Sequence, residues 1–165
     1  EPYDIKHEHT LENNSLVHIA AYYGRNEILE YFIKKMKINV NHQRENGSTA
    51  LHEAVFHNHK IVVENLINKF ECNLWLETRS HYLPLHNVFS SQKVKGADQD
   101  SIAHLLIDAY RNDWKKGKKE EDHQRWDKEL YDRLRHCLPN SKHFTPEMKE
   151  RYHDVLKQKF KPQSK

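Results

Sequence analysis

Apolar residues fall along this chain in bursts with helical spacing, separated by polar turns. Ile28, Leu29, Phe32 and Ile33 form one stripe; Ile61, Val62, Val63, Leu66, Ile67 and Phe70 form a second, and Ile102, Leu105, Leu106 and Ala109 a third. Spacings of three and four residues place each set on one face of a helix, because side chains that far apart lie one above another along the axis. Ahead of the first stripe stand Ala20 and Ala21, small enough to let two antiparallel helices come close, and then Gly24. A glycine at that point closes the shorter helix by turning left-handed. Beyond Asp113 the rhythm changes. Trp126, Leu130, Leu134, Cys137 and Leu138 predict a long amphipathic helix that ends before Pro139. Thr145-Pro146-Glu147 marks another start, with Thr as N-cap and Pro in the first turn. Met148, Tyr152, Val155, Leu156 and Phe160 give that helix its apolar face. The predicted fold is all-α.

Three tetrapeptides set the register of these helices. Ser15-Leu-Val-His18, Thr49-Ala-Leu-His52 and Leu83-Pro-Leu-His86 place a histidine every 34 residues. Self-similarity at ~33 residues marks stacked helix pairs. The middle copy is the cleanest: Asn46-Gly47 supplies the positive φ of a tight turn, and Thr49 then caps the helix that follows. On these residues the chain resembles the ankyrin-repeat family over about residues 12–112. The resemblance implies an all-α ankyrin-repeat solenoid of three repeats, 12–43, 44–77 and 78–112, behind a flexible N-terminal segment, 1–11. Residues 113–165 are then a C-terminal helical capping pair and tail, since an end repeat otherwise exposes its core side. It also gives His18, Thr49, His52, His86, Gly24 and Gly47 structural roles, with Thr49 and His52 bonded to each other and to neighbouring backbone. Ile38-Asn-Val40-Asn41 resembles the family's link between repeats, and Asn13 takes the glycine place in the first turn. The third repeat departs from the pattern. His81 stands where Gly47 stood, so its turn is either strained or differently shaped. Gln92–Gln99 exceeds a standard link and predicts a protruding loop.

What the resemblance implies about function is a binding surface of turn tips and inner-helix ends. By register these are Tyr22 and Tyr23 in the first repeat, and Arg44, Glu45, Asn46, Ser48, Phe56 and His57 in the second. The third supplies Arg79, Ser80, Tyr82, Ser90 and Ser91. Tyr22, Tyr23, Phe56 and Tyr82 form an expected aromatic patch edged by Arg44 and Arg79, the residue types that dominate interface hot spots.

Composition narrows the alternatives. Leaving out the 8 Tyr and counting the 4 Gly brings the apolar share to about 34%, below the ~45–50% of typical globular proteins. A thin solenoid tolerates that, because each repeat needs only a neighbour to cover its inner side. The net charge of +3 is too small to make nucleic acid or an anionic membrane the main partner. The densest basic run, Lys115–Lys119, is followed at once by Glu120-Glu121-Asp122, which cancels its field. Fourteen histidines raise the question of a metal. Yet His52 and His57 are one residue too far apart to share a helical face as zincin ligands do. No metal site, cofactor or catalytic set is expected, and Cys72 and Cys137 read as thiols of a reducing, cytoplasmic compartment. No apolar run reaches the ~18 residues of a membrane span. The chain begins at Glu1 and is read as part of something longer. The expected function is a monomeric module that binds a partner protein. A targeting or substrate-recruiting segment of a larger enzyme, with its catalytic domain elsewhere, is the alternative. The Lys-, Asn- and His-rich divergent repeats resemble those of intracellular bacterial effectors, which makes a host protein one expected partner and delivery into a host cell one expected route.

Overall fold

The computed structural model describes residues 16–90, 97–116, 123–139 and 142–161. Among them are eight helices and no strand: α1 (Leu16–Tyr22), α2 (Asn26–Lys34), α3 (Ala50–Phe56), α4 (Lys60–Asn68), α5 (Pro84–Ser90), α6 (Ala97–Lys115), α7 (His123–His136) and α8 (Pro146–Lys159). The short helices α1, α3 and α5 pack side by side in an inner row, while α2, α4 and α6 form an outer row behind them. The periodic apolar residues meet between the rows: Val17, Ala21, Leu29, Ala50, Val63, Leu66, Leu85, Leu106 and Ile107 are all buried. The segment 1–11, Asn13 and residues 91–96 lie outside the described residues. The loop expected over Gln92–Gln99 is shorter at its C-terminal side, because α6 has begun by Ala97. Gln99 is buried there and its Nε2 donates to the Val88 carbonyl at 3.0 Å.

The recurring histidines tie one repeat to the next. His18 Nε2 donates to the Ser48 carbonyl at 3.0 Å, and His52 Nε2 to the Tyr82 carbonyl at 2.9 Å. A carbonyl can only accept, so Nε2 carries the proton and Nδ1 is left as the acceptor. In the second repeat Nδ1 takes the Thr49 backbone N–H at 3.2 Å and the Thr49 hydroxyl at 2.9 Å, the two residues forming a capping box at the start of α3. His86 Nδ1 takes the Leu83 N–H at 2.9 Å, but leucine offers no hydroxyl.

Two kinds of turn repeat with the same period. Gly24 and Asn58 end α1 and α3 at φ +66° and +60°, and the next N–H in each case reaches back five residues to Ala20 or Ala54 at 2.8 Å. In the turn tips, Arg44 N–H donates to Ser48 at 2.8 Å and Thr78 N–H to Tyr82 at 3.0 Å. Gly47 and His81 occupy the left-handed position of those two turns, at φ +83° and +61°. The third turn therefore keeps the shape of the second and is strained rather than reshaped. His81 Nδ1 bonds Glu77 Oε2 at 2.9 Å, a local partner that holds the ring outward.

The C-terminal pair α7–α8 packs on the third repeat, α8 against α5 and α6 and α7 against α6. Thr145 caps α8 as its sequence predicts, its hydroxyl accepting the Met148 N–H at 3.4 Å, with Pro146 in the first turn. Arg133 lies over Trp75 and Trp114, 4.7 and 5.3 Å from their ring centres. Tyr110 donates to the Leu74 carbonyl and Tyr152 to that of Leu134, each at 2.6 Å. On the surface of this junction Lys159 pairs with Asp108 at 2.7 Å and Arg111 with Asp127 at 3.0 Å.

A test of the turn chemistry follows from Gly24. A β-carbon there meets the His59 ring at 2.5 Å. Gly24→Ala thus adds left-handed strain of about 1–2 kcal/mol and displaces a ring whose bond to the Tyr22 carbonyl contributes about 1 kcal/mol. Urea denaturation should show a loss of about 2 kcal/mol or more. Asn58→Gly, at the equivalent turn, should be neutral or slightly stabilising. A Gly24→Ala change within a few tenths of wild type would refute this account.

Candidate functional site

The inner helices end in a row of rings. Tyr22 and Phe56 are the last residues of α1 and α3, and Tyr23 and His57 follow them. Packing of α1 against α3 brings these ends together: the Tyr22 ring lies 4.1 Å from His57 and 4.8 Å from Tyr23, and Phe56 lies 5.1 Å from His57. Tyr22 and Tyr23 remain 41% and 63% exposed, and Phe56 and His57 are half-buried. His59, which the register analysis did not single out, belongs to the same group. Its ring stacks 6.2 Å from His57 and its Nε2 donates to the Tyr22 carbonyl at 2.9 Å. The signal for it was available, since Gly24 leaves the space that His59 fills.

The other proposed contact residues divide into exposed and committed ones. Glu45, Asn46, Arg79 and Ser80 are exposed on the turn tips. Those tips are locked together: Arg79 N–H donates to the Asn46 carbonyl at 2.9 Å, and Asn46 Oδ1 takes the Ser48 N–H at 2.9 Å. Arg44 does not edge the aromatic row as an unengaged cation, because its guanidinium donates to Glu53 at 2.6 Å and is largely covered. Ser48 is buried at 5% exposure, its hydroxyl on the same Glu53 oxygen at 3.1 Å and its carbonyl holding His18. Tyr82 turns toward the C-terminal pair, 5.9 Å from Phe144 and 6.3 Å from His86, so it packs with these rings rather than with the Tyr22–Phe56 row. Ser90 ends α5 and donates to the Asn87 carbonyl at 3.2 Å. Ser91 lies outside the described residues.

The titratable groups show what this arrangement can do. Burial holds His18 and His52 down at about 4 and His86 down at about 3, outweighing the backbone groups of Ser48, Tyr82 and Cys137 that favour their charged forms. Burial likewise pushes the Cys72 thiol up to about 12; Cys137 is raised to about 11 by burial and then by the Glu77 carboxylate. These thiols stay protonated and the imidazoles stay neutral near pH 7, which suits packing and hydrogen bonding rather than nucleophilic work. Among the described residues no group of three His, Cys, Asp or Glu could hold a metal ion. Of the basic run, Lys115 pairs with Asp127 and Lys116 with Asp113, each at 3.3 Å, and residues 117–119 lie outside the described part. No helix among the described residues is long and apolar enough to cross a membrane.

The buried imidazoles predict a pH dependence of stability. Their folded-state values lie below the ordinary 6.5, so between 6.5 and about 4 the unfolded chain binds more protons than the folded one. Stability from these groups is complete above pH 6.5, falls as pH drops toward 4, and for His86 goes on falling to about 3. Thermal melts of the wild type and of His52→Gln should therefore differ less at pH 4.5 than at pH 7. A difference that is constant over that range would contradict the assignment.

Residues 17–67 match a family model described as ankyrin repeats (many copies). No curated protein matches the chain. Among solved structures, 60% of this chain superposes on 68% of a chain in the crystal structure of the yeast ribosomal protein Rps3 in complex with its chaperone Yar1, at 18% identity and a TM-score of 0.53. In the complex of the predatory endopeptidase Bd0816 from Bdellovibrio bacteriovorus with the immunity protein Bd3460, 86% of this chain matches 81% of a chain, at 16% identity and a TM-score of 0.52. The human ASB11 ankyrin repeat domain matches 92% of this chain over 71% of its own, at 20% identity and a TM-score of 0.51. Likenesses at these identities speak for the fold.

Proposed function

We propose that this chain, an all-α ankyrin-repeat solenoid, is a protein-interaction module that grips a partner with the row of rings at its inner-helix ends. The observation that carries the reading is the exposure of Tyr22 and Tyr23 beside Phe56 and His57 on a rigid support. Aromatic side chains of this kind supply large contact area with few rotatable bonds, and they are enriched among residues that dominate binding energy. The exposed turn residues Glu45, Asn46, Arg79 and Ser80 extend the surface as a polar rim, where single contacts contribute less. Arg44 and Ser48 support it from beneath through Glu53. Two of the similar structures are themselves complexes, of a ribosomal protein with its chaperone and of an endopeptidase with an immunity protein, which is in keeping with a protein partner here. The pair α7–α8 acts in this reading as the C-terminal cap that keeps the stack monomeric.

The experiment is affinity capture with cross-linking, comparing the wild type with a Tyr22→Ala, Phe56→Ala, His57→Ala triple variant whose melting temperature is checked first. Two hot-spot residues at about 2 kcal/mol each predict a loss of affinity of roughly a thousandfold for the wild type's partner. Undiminished binding of that partner by the folded triple variant would overturn the proposed surface.

A further inference from the structure

The repeat period lets the first and second repeats be compared position by position. Toward the first repeat, the second turns Val62, Asn65 and Lys69. Val62 is 1% exposed, Asn65 Nδ2 donates to Asn26 Oδ1 at 2.7 Å, and Lys69 pairs with the Glu30 carboxylate. Asn26 and Glu30 lie four residues apart, as do Asn65 and Lys69, so α2 runs alongside α4 in step with it. Thirty-four residues earlier the three positions are Ile28, Tyr31 and Lys35. Ile28 and Tyr31 are 49% and 57% exposed, Arg25 and Lys35 are exposed as well, and no ion pair among the described residues reaches either cation. Nearby carboxylates point elsewhere. Glu30 is held by Lys34 and Lys69, and Glu27 takes the position of Ile61, which is 66% exposed in the second repeat and so faces solvent. The first repeat thus presents a stacking face with no described element upon it, an apolar strip with a cation toward each end. Tyr23, in the turn that leads into α2, joins this strip to the aromatic row.

We infer that the partner gripped by the aromatic row continues over this edge and lays a helix along α2, with an apolar side chain on Ile28 and Tyr31 and a carboxylate on Lys35. The inference rests on the proposed protein-interaction role and names the chemistry of its partner. The second repeat shows the pattern. A helix placed beside α4 as α2 is sets a carboxylate on the lysine and, one turn earlier, a side chain on the residue at Asn65. With a tyrosine in place of that asparagine, the side chain that fits is apolar. Ile28 extends the strip from the position where Val62 is buried. Tyr23 is then covered by the same molecule that covers Tyr22, so one partner accounts for both exposed surfaces. A second copy docking through this face would set Arg25 and Lys35 against their own kind, which opposes association. Charge therefore favours an acidic partner.

The probe is the protein that the wild type captures. A carbodiimide joins a lysine amine to a carboxylate in direct contact, forming an amide as the reagent takes up the water released. It should link Lys35 to an aspartate or glutamate on a helix of the captured protein, and Lys35→Arg should keep the affinity but lose the link. An Ile28→Ser, Tyr31→Ser variant and an Arg25→Glu, Lys35→Glu variant should each bind roughly tenfold more weakly or worse. Both should melt near the wild type, because these side chains are exposed. Full affinity in both double variants, or a Lys35 that links to no carboxylate of the captured protein, would overturn the inference. So would a Tyr31 already protected from hydroxyl radicals before that protein is added, since the face would then be covered by the chain itself or by a second copy. The triple variant at Tyr22, Phe56 and His57 keeps the two readings apart. If it loses the captured protein while both double variants hold it, only the extension along α2 fails; if the wild type captures no protein, both fail.

Discussion

The buried imidazole is the constraint on which the rest of the structure depends. In the second repeat one ring accepts the N–H that opens its own helix and gives its proton to a backbone carbonyl thirty residues further on. The first ring makes the same forward bond to Ser48. The His52 ring thus fixes a helix start and the spacing to the next repeat at once, through backbone atoms whose positions do not depend on side-chain identity. Burial keeps the rings neutral, and neutrality keeps Nδ1 an acceptor. With starts and spacing fixed, the helix ends must fall into register as well. The contact of Tyr22 with His57 is therefore a distant consequence of hydrogen bonds made at the other end of the helices.

The parts of this arrangement that were legible in the sequence are those set by local spacing. Apolar stripes at three and four residues, Gly24 after Ala20-Ala21, and Thr145-Pro146 each announce an element whose cause lies within a few residues of it. The third turn was legible only as a conflict, a histidine where a glycine belongs. The structure resolves it by keeping the turn, because two backbone bonds and the Glu77 partner offset a left-handed residue that costs about 1–2 kcal/mol. What the sequence concealed are choices of partner. Arg44 and Ser48 look like turn-tip residues, yet both are drawn onto Glu53, a position that the repeat pattern leaves open. Tyr82 goes to Phe144, on a segment with no repeat signature to give its register.

The third repeat shows what happens when the hydrogen-bond series ends. His86 still accepts from Leu83, but among the described residues no further turn tip follows to take its Nε2 proton, and that nitrogen has no hydrogen-bond partner of good geometry there. It faces the backbone of Cys137 instead. Rings close around it: Tyr152 at 4.9 Å, Phe144 at 5.7 Å and, beyond Tyr152, Phe89. Aromatic edges and faces thus replace the directional bond, and Tyr152 finds its own acceptor in α7. A helix pair of unrelated sequence can pack here because it needs to bury this surface, not to reproduce the repeat.

The two ends of the inner row therefore use the same residue types in opposite ways. At the C-terminal end the rings of Phe144, Tyr152 and Tyr82 are packed into one another and stabilise the fold. Near the N-terminal end Tyr22 and Tyr23 are exposed, although their backbone is as firmly held. The Tyr22 carbonyl is bonded to His59, the following turn is closed by Gly24, and its ring rests on His57. In the proposed reading, a partner that meets this row finds the backbone beneath it already held by hydrogen bonds, so little backbone ordering entropy opposes binding. That is why exposure matters more here than aromatic content. The same tyrosines buried against a cap would contribute stability alone, whereas exposed on a rigid helix end they can contribute affinity.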